Sequence, residues 1–69
     1  MTQADKAEVV WDAEKKIWRV RVQIGEEVIK RPLPGQRQDA DEESLRAAAL
    51  GAAKDDGYEV DPNNVVINR

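Results

Sequence analysis

The sequence contains no cysteine, no histidine and no phenylalanine, and Ser44 is its only serine. Without cysteine the chain can form neither a disulfide nor a thiolate metal site. The sequence therefore does not indicate whether its compartment is oxidising or reducing. Without histidine, neither a Ser/His/Asp nor a Cys/His arrangement can be assembled. We therefore expect a protein that is not an enzyme, has no catalytic residues and needs no cofactor.

Long hydrophobic runs are also missing. No apolar stretch approaches the ~18 to 20 residues that span a bilayer, and the N-terminal segment MTQADKAE lacks the apolar core of a signal peptide. We therefore expect no contact with a membrane and a cytoplasmic location.

Aromatic residues are scarce, with two Trp and one Tyr among 69 residues. A chain of this length forms one domain whose core only just offsets the entropy of ordering the backbone. We expect a disordered tail over residues 1–7 and a single domain over residues 8–69. Either the stability of this domain is modest or a partner covers additional apolar surface.

The strongest pattern lies in residues 17–24, where apolar and polar residues alternate as in a strand with one buried face. The apolar members are Trp18, Val20, Val22 and Ile24, and the polar members are Arg19, Arg21 and Gln23. Together with the flanking segments, residues 8–31 predict a three-stranded antiparallel meander.

Side-chain matching predicts the strand register, because residues directly opposite each other share a face. Pairing Trp11 with Trp18 leaves residues 13–16 as the first loop and sets Glu8 opposite Arg21. A two-residue loop at Gly25-Glu26 fits a type II′ turn and sets Arg21 opposite Lys30. The third strand should end near Arg31, since Pro32 and Pro34 follow.

A helix is predicted from Asp39, its expected N-cap, to about Asp56, with Glu42 completing a capping box and Gly57 as the C′ residue. Its apolar stripe comprises Leu45, Ala48, Ala49 and Ala52. Asp39, Asp41 and Glu43 resemble the start of an EF-hand loop. However, Ser44 and Leu50 stand where that loop requires glycine and glutamate, so we predict no metal site.

The C-terminal segment contains a turn at residues 61–64, where Pro62 occupies the favoured second position. Residues 65–67 then predict a fourth short strand, or alternatively a small hairpin with residues 58–60. The expected fold is therefore α+β with the element order β-β-β-α-β, the helix packing across one face of the meander.

Charge is unevenly distributed along the chain. Residues 15–37 carry seven basic and two acidic residues, whereas residues 38–69 carry three basic and eight acidic ones. The candidate nucleic-acid-binding residues are therefore those on or near the second and third strands, namely Arg19, Arg21, Gln23, Lys30 and Arg31. A net charge of −3 disfavours nucleic acid, because domains dedicated to it are usually basic.

In its order of three strands and a helix, over about residues 8–56, the chain resembles the small DNA-binding modules of the plant AP2 type and of some phage and transposon integrase N-terminal arms. This resemblance implies DNA binding through the basic face of the sheet. The composition instead favours a non-enzymatic interaction module that binds a protein, or a second copy of itself, through a sheet face or edge. DNA binding is the alternative.

Overall fold

The computed structural model describes residues 2–68 and has one helix, a mixed four-stranded sheet and a separate pair of very short strands. The elements in chain order are β1 (Thr2–Gln3), β2 (Lys6–Asp12), β3 (Ile17–Ile24), β4 (Glu27–Leu33), α1 (Glu42–Asp55), β5 (Tyr58–Glu59), a 3₁₀ turn (Pro62–Asn64) and β6 (Val65–Asn68). The sheet order is β4-β3-β2-β6. The predicted α+β class is confirmed.

The antiparallel meander β2-β3-β4 has the predicted register. Trp11 lies opposite Trp18, and Glu8 lies opposite Arg21. The two indole rings meet edge to face, with their centroids 5.3 Å apart, which is a favourable geometry for an aromatic pair. The side-chain matching therefore identified the pairing of β2 with β3 correctly.

The second hairpin also has the predicted register, with Arg21 opposite Lys30, but β4 is longer than expected. Gly25 has a φ of 61°. Among residues 2–68, Lys16 is the only residue other than glycine with a positive φ. Glu26 therefore has negative φ, as a type II′ turn requires. The expected end near Arg31 is wrong: β4 continues to Leu33, because an edge strand tolerates the missing N–H of Pro32.

The helix starts two residues later than the predicted N-cap allows. Asp41, not Asp39, caps α1, and its carboxylate accepts a hydrogen bond from the Ser44 N–H at 3.1 Å. The Arg37 carbonyl accepts the Ala40 N–H at 3.0 Å and the Trp18 indole N–H at 2.6 Å. These bonds hold the connector in a turn through residue 40, so the helix cannot begin earlier.

The buried stripe of α1 consists of Leu45, Ala49 and Ala53. They pack on the sheet side chains Val9, Trp18, Val20 and Val22, which are at most 1% exposed. The predicted members Ala48 and Ala52 are only partly buried at the margin of this core. At the other end, the Gly57 N–H bonds to the Lys54 carbonyl at 2.9 Å with φ of 86°, as expected for a C′ glycine.

The C-terminal strand β6 lies parallel to β2, with Ala7 opposite Val65 and Val9 opposite Ile67. The alternative hairpin is wrong, because β5 pairs with β1 in the parallel direction instead. α1 carries the chain from β4 at one side of the sheet to β6 at the other.

The expected disordered tail over residues 1–7 differs from the structure, although Met1 lies outside the described residues. Ala4 and Ala7 are 1% and 0% exposed and belong to the core. The Ala4 N–H donates to the Glu59 carbonyl, and the Asp5 N–H donates to the Gln23 carbonyl, each at 2.8 Å. Two alanines among polar residues give a weak hydrophobic signal, so the sequence pattern did not reveal this packing.

Candidate interaction surfaces

The sheet face opposite α1, called here the outer face, carries most of the candidate residues. Because opposite residues share a face, the registers place four predicted nucleic-acid-binding residues together: Arg19, Arg21, Gln23 and Lys30. Arg21 and Lys30 are both exposed and directly opposite each other. Like charges in this position destabilise a sheet unless an opposite charge lies nearby.

Two arginines of the outer face are paired with acids of β2. The Arg19 Nε lies 2.9 Å from Asp12 Oδ2, and the Arg21 Nη1 lies 3.5 Å from Glu8 Oε1. The backbone N–H of Lys15 and the Arg19 guanidinium stabilise the Asp12 carboxylate, and they lower its pKa from the ordinary value. The positive charge of the outer face is therefore partly neutralised within the sheet.

The fifth predicted residue, Arg31, lies on the other face. It is opposite Val20, whose side chain is in the core, so Arg31 projects on the helix side of β4. Its Nε is 2.9 Å from Asp56 Oδ2, at the C-terminal end of α1. The structure therefore does not bring Arg31 together with the other four residues. The sequence signal for the Arg31–Asp56 pair was the position of Asp56 at a helix C-terminus, where a negative charge is unfavourable.

The outer face offers little room for a small molecule. A depression on this face has a volume of about 70 Å³ and is lined by Lys6, Glu8, Arg21, Gln23 and Val28. Ligand pockets are typically about 300 to 1,000 Å³. Among residues 2–68 the side chains also form no group of three or more acids that could hold a metal ion.

The two sheet edges differ sharply in chemistry. β4 carries Glu27, Lys30, Arg31 and Pro32, which are the charges and proline that protect natural edge strands. β6 has the sequence VVIN and no charge, and its Val66 is 50% exposed on the outer face. The uncharged VVI run in the sequence was the available signal for this edge, but the pairing of β6 with β2 was needed to locate it.

A groove lies beside the beginning of β6, and we call it the Leu50–Pro62 groove. Its volume is about 300 Å³, and it is lined by Leu50, Lys54, Tyr58, Glu59, Val60 and Pro62. Pro62 precedes the first residue of β6 by three positions, so the groove lies near the start of that strand, and its lining comes from α1, residues 58–60 and Pro62. Its lining is mostly apolar, and Lys54 and Glu59 are the two charged residues in it.

Comparison of the chain with protein-family models, with curated proteins and with solved structures finds no match. The likeness to AP2-type and integrase-arm modules therefore rests on element order alone. In the described part of the chain, no helix is long and apolar enough to cross a membrane.

Proposed function

We propose that this protein is a non-enzymatic interaction module that binds an extended segment of a partner protein as an added strand at the β6 edge. The observation that carries the proposal is the difference between the two edges, one charged and interrupted by proline, the other uncharged and apolar. The proposal does not depend on the cellular compartment, and a cytoplasmic location stays a prediction from the sequence.

Strand addition matches the chemistry available at β6. An edge strand presents backbone donors and acceptors that an incoming strand can pair with, and alternate side chains of that strand then give specificity. On the outer face, the half-exposed Val66 offers an apolar contact. On the helix side, the Leu50–Pro62 groove offers space for one inward-facing apolar side chain.

A peptide-display selection tests this proposal without knowledge of the natural partner. Peptides selected from a random library against the folded protein should be rich in β-branched residues. Amide NMR shifts on binding should cluster on residues 65–68. Val66→Lys should weaken binding about tenfold or more, because a lysine on an edge strand opposes further pairing.

Val28→Lys is the matched control, because Val28 is 44% exposed on the outer face of β4 at the opposite edge. Binding should be unaffected by this change. Selected peptides that shift β4 or the outer face, or that bind both lysine variants equally, would contradict the proposal.

DNA binding is the second hypothesis, and the like-charged pair Arg21 and Lys30 on the outer face favours it. The ion pairs of Arg19 and Arg21 with β2 acids count against it. We would titrate the labelled protein with mixed-sequence duplex DNA at low and high salt. DNA binding predicts shifts on residues 19–30 that disappear with salt, and an unchanged spectrum would eliminate it.

A further inference from the structure

We propose that the strand added at β6 is the β6 strand of a second copy of this chain, so that the protein forms a symmetric dimer with one continuous sheet. This inference rests on the proposed function, because it names the partner of the same edge. Antiparallel pairing about a two-fold axis would join two four-stranded sheets, with the β4 strands at the outer ends.

Self-pairing of β6 is complementary in one register. With Val66 opposite Val66 of the second copy, each Val65 lies opposite an Ile67. Apolar side chains then meet on both faces, and cross-strand pairs of β-branched residues stabilise a sheet. In the register centred on Ile67, Val66 would instead face Asn68, so the Val66-centred register is favoured.

The helix side of the sheet supports the same arrangement. Val65 is opposite Ala7 in the core, so residues opposite Val65 also point toward the helix layer. In the Val66-centred register, Ile67 of the second copy occupies that position. It would extend toward the Leu50–Pro62 groove, which lies near the beginning of β6.

The chemistry of β4 favours a closed dimer over an open assembly. Pairing β4 of one copy with β6 of the next would be heterologous and would continue without end. Pro32 and the charges of β4 oppose that contact. Because β6 has only four residues, the dimer contact is small, and we expect a weak dimer that forms at micromolar to millimolar concentration.

Sedimentation velocity across that concentration range tests the dimer. The wild-type protein should shift from monomer to dimer, and Val66→Lys should raise the dissociation constant about tenfold or more. Val28→Lys is the matched control and should dimerise like the wild type. Circular dichroism of both variants checks that they remain folded, as expected for substitutions at half-exposed positions.

Single-cysteine variants test the register, because the chain contains no cysteine of its own. Val66→Cys should be cross-linked rapidly by a short bis-maleimide, since the two thiols face each other across the axis. In Asn68→Cys the two thiols would be four residues apart along the strands, roughly 14 Å, so cross-linking should be slow.

A protein that stays monomeric at millimolar concentration would overturn the dimer. The peptide-display result is independent, so strand addition at β6 could still stand with another partner. Equal loss of dimer in both lysine variants, or equal cross-linking of both cysteine variants, would also overturn the inference, because the contact would then lie elsewhere or have another register.

Discussion

Arg31 on β4 and Asp56 at the C-terminal end of α1 form an ion pair, with Arg31 Nε 2.9 Å from Asp56 Oδ2. The contact joins the sheet edge to the helix that packs across the sheet. It also places a positive charge beside a carboxylate that the helix dipole alone would disfavour. Arg31, which the sequence suggested for nucleic acid, therefore has an internal partner.

A double-mutant cycle with Arg31→Met and Asp56→Asn should reveal a coupling of about 0.2 to 1 kcal/mol, the range for exposed ion pairs. The side chains are 47% and 25% exposed, so solvent screens the interaction. In the Arg31→Met background, Asp56→Asn should stabilise the protein, since it removes a negative charge from the helix C-terminus. Urea unfolding of the four proteins measures these free energies.

Sodium chloride provides the control for this cycle, because screening should reduce the coupling at about 1 M salt. A coupling that is unchanged by salt would mean that packing of the arginine stem, rather than charge, joins the two elements. A coupling of zero at low salt would contradict the ion pair itself.

The two candidate caps of α1 can be separated by mutation. Asp41→Ala should lower the free energy of unfolding by about 0.5 to 2 kcal/mol, because Asp41 accepts the Ser44 N–H at the helix start. Asp39→Ala should have a much smaller effect, since Asp39 pairs only with the exposed Arg37 at 3.3 Å in the described structure. Equal losses, measured by thermal and urea unfolding, would contradict the assignment of the cap.

The meander was predictable because its information is local. The alternation around β3 identifies the buried face, and the Trp11–Trp18 match then determines the register of the first hairpin. Gly25 specifies a turn that few other residues tolerate. Each of these features depends on residues near one another in the chain.

The remaining features depend on contacts between distant segments. Nothing near Val65 shows that its strand lies parallel to β2 at the far edge of the sheet. Asp39 and Asp41 are equally good caps by residue type, and the bond from Trp18 to Arg37 decides between them. The predicted register already sets Arg31 opposite Val20, but only the packing of α1 on the sheet brings Asp56 within reach of Arg31. The candidate surface at β6 was therefore hidden until the sheet order was known.

Asp12 should make stability depend on pH in the acid range. Its folded-state pKa is lowered, chiefly by the Lys15 N–H, and also by Arg19. A depressed pKa means that Asp12 stabilises the fold above the ordinary aspartate pKa of about 3.9, and that this contribution is lost as the pH falls through the folded-state pKa. Asp12→Asn should therefore flatten the stability profile below about pH 4.

The carboxyl carbon of Asp12, followed by NMR, should titrate below the pKa of an unstructured aspartate. Asp39→Asn is the control for the stability profile, because it removes the same charge from a carboxylate that is well exposed beside Arg37. If the free energy of unfolding of Asp12→Asn falls with decreasing pH as steeply as that of the wild type, the hydrogen bonds at the β2–β3 loop do not stabilise the ionised form of Asp12.

Lys16 ends the loop between β2 and β3 with a φ of 57°, a left-handed conformation that costs a non-glycine residue roughly 1 to 2 kcal/mol. Lys16→Gly removes this strain but increases the entropy of the unfolded chain, which costs about 0.4 to 1 kcal/mol. Lys15→Gly is the matched control, since it removes the same charge from the same exposed loop at a residue with negative φ. Lys16→Gly should therefore be more stable than Lys15→Gly by about 1 to 2 kcal/mol in urea unfolding. Equal stabilities would show that the left-handed conformation at Lys16 is not strained.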